Sequence, residues 1–95
     1  MRKYEFMFIV NPNLEEAAIK KVADDMKDVI KKTKGKITDE KDMGQRELAY
    51  EINKHKKGYY FLYVLEADAS AIAELNRVSN VNEDVIRHLI VKLED

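Results

Sequence analysis

Few side chains in this 95-residue chain are able to do chemistry, and their spacing fits no common catalytic arrangement. There is no cysteine, which removes thiolate nucleophiles, disulfides and cysteine-based zinc sites. Two histidines, His55 and His88, do not by themselves make a His-rich metal centre. Ser70 and Ser79 have no histidine on a neighbouring predicted element, so no serine triad is available. A phosphate-cradling loop needs several glycines at fixed spacing, and Gly35, Gly44 and Gly58 stand far apart. The paired acids Glu15-Glu16 and Asp24-Asp25 are adjacent on a predicted helix and point in different directions, as solvated surface does. These observations predict no catalytic residue, no metal, no cofactor and no small-molecule substrate.

The cations are more informative. Arg2 opens the first predicted strand, Arg46 follows a glycine, and Lys54, Lys56 and Lys57 crowd a predicted loop. Arg87 and Lys92 lie on the last predicted strand. Such residues reach phosphates from a rigid edge, and Tyr4, Tyr50 and Tyr59 are placed to stack or hydrogen-bond beside them. A charge run is by itself as compatible with a solvated loop. The lysines from 31 to 36 need no ligand, because cations at a helix C-terminus complement its dipole. With 17 Lys+Arg against 18 Asp+Glu the net charge is −1, so any contact with nucleic acid is local rather than a bulk-charge effect.

The elements that position these residues follow from periodicity. Residues 3–10 alternate as a strand, with Tyr4, Phe6, Phe8 and Val10 on one face and Met7 and Ile9 on the other. Pro12 ends it. Residues 14–34 carry the helical stripe Ile19, Val22, Met26, Val29, Ile30 and Thr33. Asn13 is the expected N-cap, in a capping box with Glu16, and Gly35 the expected left-handed residue past the end. Residues 36–42 and 46–52 form one long strand interrupted at Met43-Gly44, where Gly44 suggests a bulge or sharp bend, residues 53–58 a basic hairpin loop, and residues 59–67 the strongest strand. A short helix spans 69–79, capped by Asp68 or Ser70, with Ile72, Leu75 and Val78 or Ser79 inward. A turn over 80–83 leads to the last strand, 84–93. His88 shares the register of Ile86 and Ile90 and is expected near the helix-covered face.

Strand, helix, strand, strand, helix, strand in a single domain over 1–95 describes an α+β ferredoxin-like plait: a four-stranded antiparallel sheet, two helices on one face, first and third strands central. The second face ought to be polar. Instead alternation places Met7, Ile9, Tyr60, Leu62, Val64, Leu89 and Val91 there, a contiguous apolar patch of the kind that marks an interface. No apolar run approaches the roughly 20 residues of a membrane span, and the first residues lack a signal-peptide core. The expectation is a cytoplasmic protein without a membrane partner.

The chain resembles the family of the small-subunit ribosomal protein numbered six. The resemblance begins at Arg2-Lys3-Tyr4-Glu5, continues through Asn11-Pro12-Asn13-Leu14, and is most specific at Gly44-Gln45-Arg46-Glu47-Leu48-Ala49-Tyr50-Glu51-Ile52. It runs on through Lys54, Gly58-Tyr59-Tyr60 and the segment from Val85 to Lys92. The resemblance implies a structural protein of the small subunit that binds the central domain of its ribosomal RNA together with the small-subunit protein numbered eighteen. It implies RNA contacts at Arg2, Tyr4, Arg46, Lys54, Arg87 and Lys92, to which the basic loop adds Lys56. It also assigns Leu48 and Tyr50, with the apolar face, to the protein partner. Two positions depart from the family pattern: Glu47 stands where a basic residue is common, and Glu51 where a proline is common.

Overall fold

The computed structural model describes residues 2–52 and 54–94, and for Glu94 the backbone alone. β1 (Arg2–Val10) runs through the middle of the sheet because both of its faces are apolar. It is followed by α1 (Glu16–Lys32), β2 (Lys36–Ile52), β3 (His55–Ala67), α2 (Ala69–Val81) and β4 (Val85–Glu94). The strand order is β2-β3-β1-β4, with antiparallel pairing throughout. This is the ferredoxin-like plait the element order predicts, with β1 and β3 central.

Phe6 and Phe8 stand opposite Tyr63 and Phe61, so four aromatic rings form the floor on which the helices pack. Phe8 stacks on Phe61 at 5.0 Å between centroids and meets Tyr63 edge-on at 5.4 Å, both favoured arrangements. Ile19, Val22, Met26 and Ile30 of α1 and Ala71 and Leu75 of α2 close the core from above. Ser79, the one buried polar side chain among the described residues, donates its hydroxyl to Met26 Sδ at 3.9 Å and joins the two helices.

Both ends of α1 differ from expectation. The cap position is Glu15 and carries no side-chain hydrogen bond. Asn13 instead donates its N–H to Asn11 Oδ1 at 2.9 Å, in an Asx turn that competes with the capping box. At the other end Lys34, not Gly35, takes the left-handed conformation, with φ +66°. Lys34 N–H bonds to Lys31 O and Gly35 N–H to Ile30 O, which is the Schellman pattern with Lys34 at C′. Gly35 is needed for space: a Cβ there would lie 2.9 Å from Ile30 Cγ2 and 3.0 Å from Ile30 O.

Asp68 caps α2, accepting from Ala71 N–H at 3.1 Å and from the Ser70 hydroxyl at 2.7 Å. These bonds hold its carboxyl below the usual aspartate range. The helix continues to Val81, through half of the expected turn.

β2 runs through Met43-Gly44 without a break, and the bulge that Gly44 suggests is present. Gly44, at φ +74°, absorbs the extra residue of a bulge between the pairs Asp42↔Phe61 and Gly44↔Tyr60. The expected six-residue loop is far tighter: Ile52 pairs with His55, so His55, Lys56 and Lys57 are strand residues. Asn53 lies outside the described residues, and Lys54 has φ +68°.

Candidate nucleic-acid and partner interface

The open face is built by the odd residues of β1 and their cross-strand neighbours. Met7 stands between Leu62 and Leu89, Glu5 between Val64 and Val91, and Ile9 between Tyr60 and Arg87. The seven apolar residues expected on this face are therefore brought together. On β4 Leu89 is 51% exposed, Val91 42% and Leu93 46%. Leu89 and Val91 share the open face, whereas Leu93 is the extra residue of a register shift between Tyr4↔Lys92 and Lys3↔Glu94, so the period of two stops before it.

A bulge in β4 changes one expectation. The register shifts between Ile9↔Arg87 and Val10↔Val85, so Ile86 is the extra residue. In a bulge two successive side chains point to one side, and Ile86 reaches the open face beside Gly58 and Ile9 rather than the helix side. His88 does face the helices. Its Nε2 lies 2.9 Å from Asn76 Oδ1, an oxygen that accepts, so that nitrogen carries the hydrogen. Burial pushes the ring below the ordinary histidine pKa and keeps it neutral. The ring meets Phe6 edge-on at 6.4 Å, a packed role.

The distal part of β2 crosses this same face. Pairing runs to Glu47↔Lys57 and resumes at Ile52↔His55, so the four residues from Leu48 to Glu51 stand opposite Lys56 alone. Freed from the ladder, they lie against the sheet. Leu48, Ala49, Tyr50 and Ile52 line a cavity of about 140 Å³ with Met7, Ile9, Tyr60, Arg87 and Leu89. Gly58 permits the approach, since a Cβ there would sit 2.2 Å from Ile9 Cγ2 and 3.4 Å from Leu48 Cδ2. Arg87 donates to the Tyr50 hydroxyl, and its guanidinium lies 5.7 Å from the Tyr50 ring centroid. Leu48 and Tyr50 thus join the apolar face, and Arg87 joins them.

The cations do not gather at one end. Arg2 pairs with Ala67, and Lys92 with Tyr4, at the end where β1 begins. Arg46, Lys54 and Lys56 lie at the opposite end of a molecule 36 Å long. Antiparallel register forces the division, because a hairpin between β2 and β3 must fall at the end where β1 finishes. At that end Lys54, His55, Lys56 and Lys57 line a shallow depression of about 300 Å³ with Gln45, Pro12 and Asn13.

Two of the three tyrosines expected near these cations are committed elsewhere. Tyr4 is 9% exposed and belongs to the hydrophobic core, which leaves no ring face for stacking on a base. Tyr59 packs against the core and donates its hydroxyl to Asp42 Oδ2 at 3.0 Å, the bond that raises its pKa.

No cluster of carboxylates, imidazoles or thiols able to hold a metal occurs among the described residues. No helix there is long and apolar enough to cross a membrane. Every buried side-chain nitrogen and oxygen among them has a partner.

The geometry is that of a small α+β binding protein: a sealed aromatic core, one apolar sheet face and cations at both ends. Residues 3–92 match the family model described as ribosomal protein S6. The chain belongs to that family. It is 50% identical over 95 residues to the small ribosomal subunit protein bS6 of Halalkalibacterium halodurans, covering both chains in full. It is 42% identical to the bS6 of Phytoplasma australiense, over 97% of this chain and 99% of that one. A crystal structure of the 30S ribosomal protein S6 from Thermotoga maritima superimposes with a TM-score of 0.92 at 34% identity, over 96% of this chain and 86% of the other. The chain is accordingly a structural component of the small ribosomal subunit, a ribosome-bound cytoplasmic protein and not an enzyme.

Proposed function

We propose that the chain binds the central domain of the small-subunit ribosomal RNA together with the small-subunit protein numbered eighteen. The exposed pair Leu89 and Val91 carries this reading, because successive apolar side chains left in solvent on an open sheet face favour a protein partner. Met7, Leu62 and Val64 extend the pair inward. Balanced charge gives weak RNA affinity for the chain alone, and a basic partner adds the missing counter-charge.

Arg46, Lys54 and Lys56 at the hairpin end and Arg2 and Lys92 at the other act as phosphate or sugar contacts. Two separated sets hold an RNA at two points and fix its direction across the sheet. Tyr4 is omitted for its burial.

The test is a binding titration with a central-domain RNA fragment, with and without the partner protein. Binding that requires the partner, and that weakens for Arg2→Ala or Lys54→Ala, agrees with the proposal. No binding in either mixture, with a stable homodimer formed through the open face instead, overturns it.

A further inference from the structure

We propose that residues Leu48–Glu51 form a strap over the open face that opens as a unit, with Arg87 and Tyr50 as its latch, and that an anion taken up by Arg87 releases it. The docking consequence rests on the function proposed above; the strap itself does not.

The segment is attached differently from the rest of the sheet. It has no ladder partners on β3, where the register jumps from Glu47↔Lys57 to Ile52↔His55. What holds it is side-chain contact: Leu48 against Ile9 over Gly58, and Tyr50 against Arg87. A half-open groove of about 140 Å³ lies between the segment and the sheet, and Ala49, Tyr50 and Glu51 remain exposed. Segments with few buried contacts and no ladder open at a lower free energy than the global transition. The ends of the segment, at Glu47 and Ile52, are paired and serve as hinges.

The latch has a chemical weakness. Arg87 donates to a neutral phenol and stacks on a ring that is 60% exposed. A phosphate or carboxylate offers the guanidinium a bidentate, charge-assisted pair, about twice as strong per bond. An anion at Arg87 therefore displaces the Tyr50 hydroxyl. Opening bares Met7, Ile9 and Tyr60 and joins them to the exposed Leu89 and Val91. Anion capture at one residue is thereby coupled to the area of apolar surface offered to a protein, which makes the two binding events cooperative.

The experiment is amide hydrogen exchange of the full chain, compared between residues 47–52 and the paired core residues 59–65. Tyr50→Phe removes only the hydroxyl, and Arg87→Gln removes the cation. Either substitution should speed exchange over 47–52 by about threefold to tenfold, the effect of one hydrogen bond, with 59–65 unchanged. Tripolyphosphate, compared with chloride at equal ionic strength, should speed the same amides in the native chain and leave Arg87→Gln unaffected. Exchange of 47–52 in step with 59–65, no response to either substitution, or equal effects of tripolyphosphate and chloride would each overturn the proposal. These readouts contain no RNA and no partner protein, so they are independent of the titration above.

Discussion

Arg87 and Tyr50 belong to the two outer strands of the sheet, yet the Arg87 guanidinium donates to the Tyr50 hydroxyl and lies over its ring. β3 and β1 separate the strands that carry them. The contact exists because β2 leaves its ladder for four residues and crosses the open face. It ties an aromatic ring and a cation into the same patch as Met7, Ile9 and Leu89. The ring remains 60% exposed, so the pair adds little to global stability. Tyr50→Ala should lower the unfolding free energy by no more than about 1 kcal/mol in a denaturant titration. A loss several times larger would mean that the crossing segment is part of the cooperative core.

Gly58 should tolerate no side chain. A Cβ at this position falls 2.2 Å from Ile9 Cγ2, and Ile9 itself is 3% exposed and hemmed by Leu48 and Ile86. Gly58→Ala forces Ile9 from its place or lifts the hairpin, and overpacking of this kind costs about 1–3 kcal/mol. The midpoint of urea unfolding measures it, and an unchanged midpoint would show that the hairpin yields freely.

The end of α1 makes two neighbouring residues respond in opposite senses. Lys34 sits at φ +66°, where a Cβ is strained, and Gly35 sits where a Cβ collides with Ile30. Lys34→Gly should therefore stabilise the protein, by up to about 1 kcal/mol after the entropy of the added glycine is counted. Gly35→Ala should destabilise it. Thermal unfolding of the two variants reads the sign directly, and equal signs would contradict the Schellman geometry.

The sequence was legible where a periodic pattern met little competition. Alternation in β1 and β3 located the core, the central strands and the apolar open face, because a one-residue slip would have exposed Phe6, Phe8 and Leu65 together. Gly44 marked the bulge in β2, but the bulges that no glycine marks were hidden. The extra residue at Ile86 reversed its side, and the excursion at Leu48–Glu51 has no signature in hydropathy. The resemblance and the nearby Arg2 assign Tyr4 to the RNA, although its own parity with Phe6 and Phe8 places it in the core. The division of the cations between two ends was hidden because closeness in sequence ignores antiparallel register.

His88 makes stability depend on pH in a definite direction. Its pKa in the folded chain is lowered from 6.5 by burial, so the unfolded chain binds more protons as pH falls through that value. Stability conferred by the neutral ring is complete above pH 6.5 and declines as pH falls below it. The further loss from Asp68, whose carboxyl is held below 3.8, begins only in more acidic solution, so the two steps are separable. His88→Gln should flatten the first decline and leave the second. An undiminished first decline in that variant would assign it to another group.

The exposed ridge of β4 gives the sharpest separation between folding and docking. Val91 is 42% exposed, stands opposite Glu5, and faces away from both helices. A lysine there is carried into water by its own stem, so Val91→Lys should change the unfolding free energy by about 0.5 kcal/mol or less. In the proposed complex the same lysine would be buried against an apolar surface without a counter-ion. An uncompensated charge in a desolvated patch costs several kcal/mol. Affinity for the protein partner should fall by at least about a hundredfold, which corresponds to roughly 2.7 kcal/mol. Isothermal titration calorimetry of Val91→Lys against the partner, beside denaturant unfolding of the same variant, reads both quantities. Full affinity at unchanged stability would move the partner off this face, and the apolar ridge would then need another explanation.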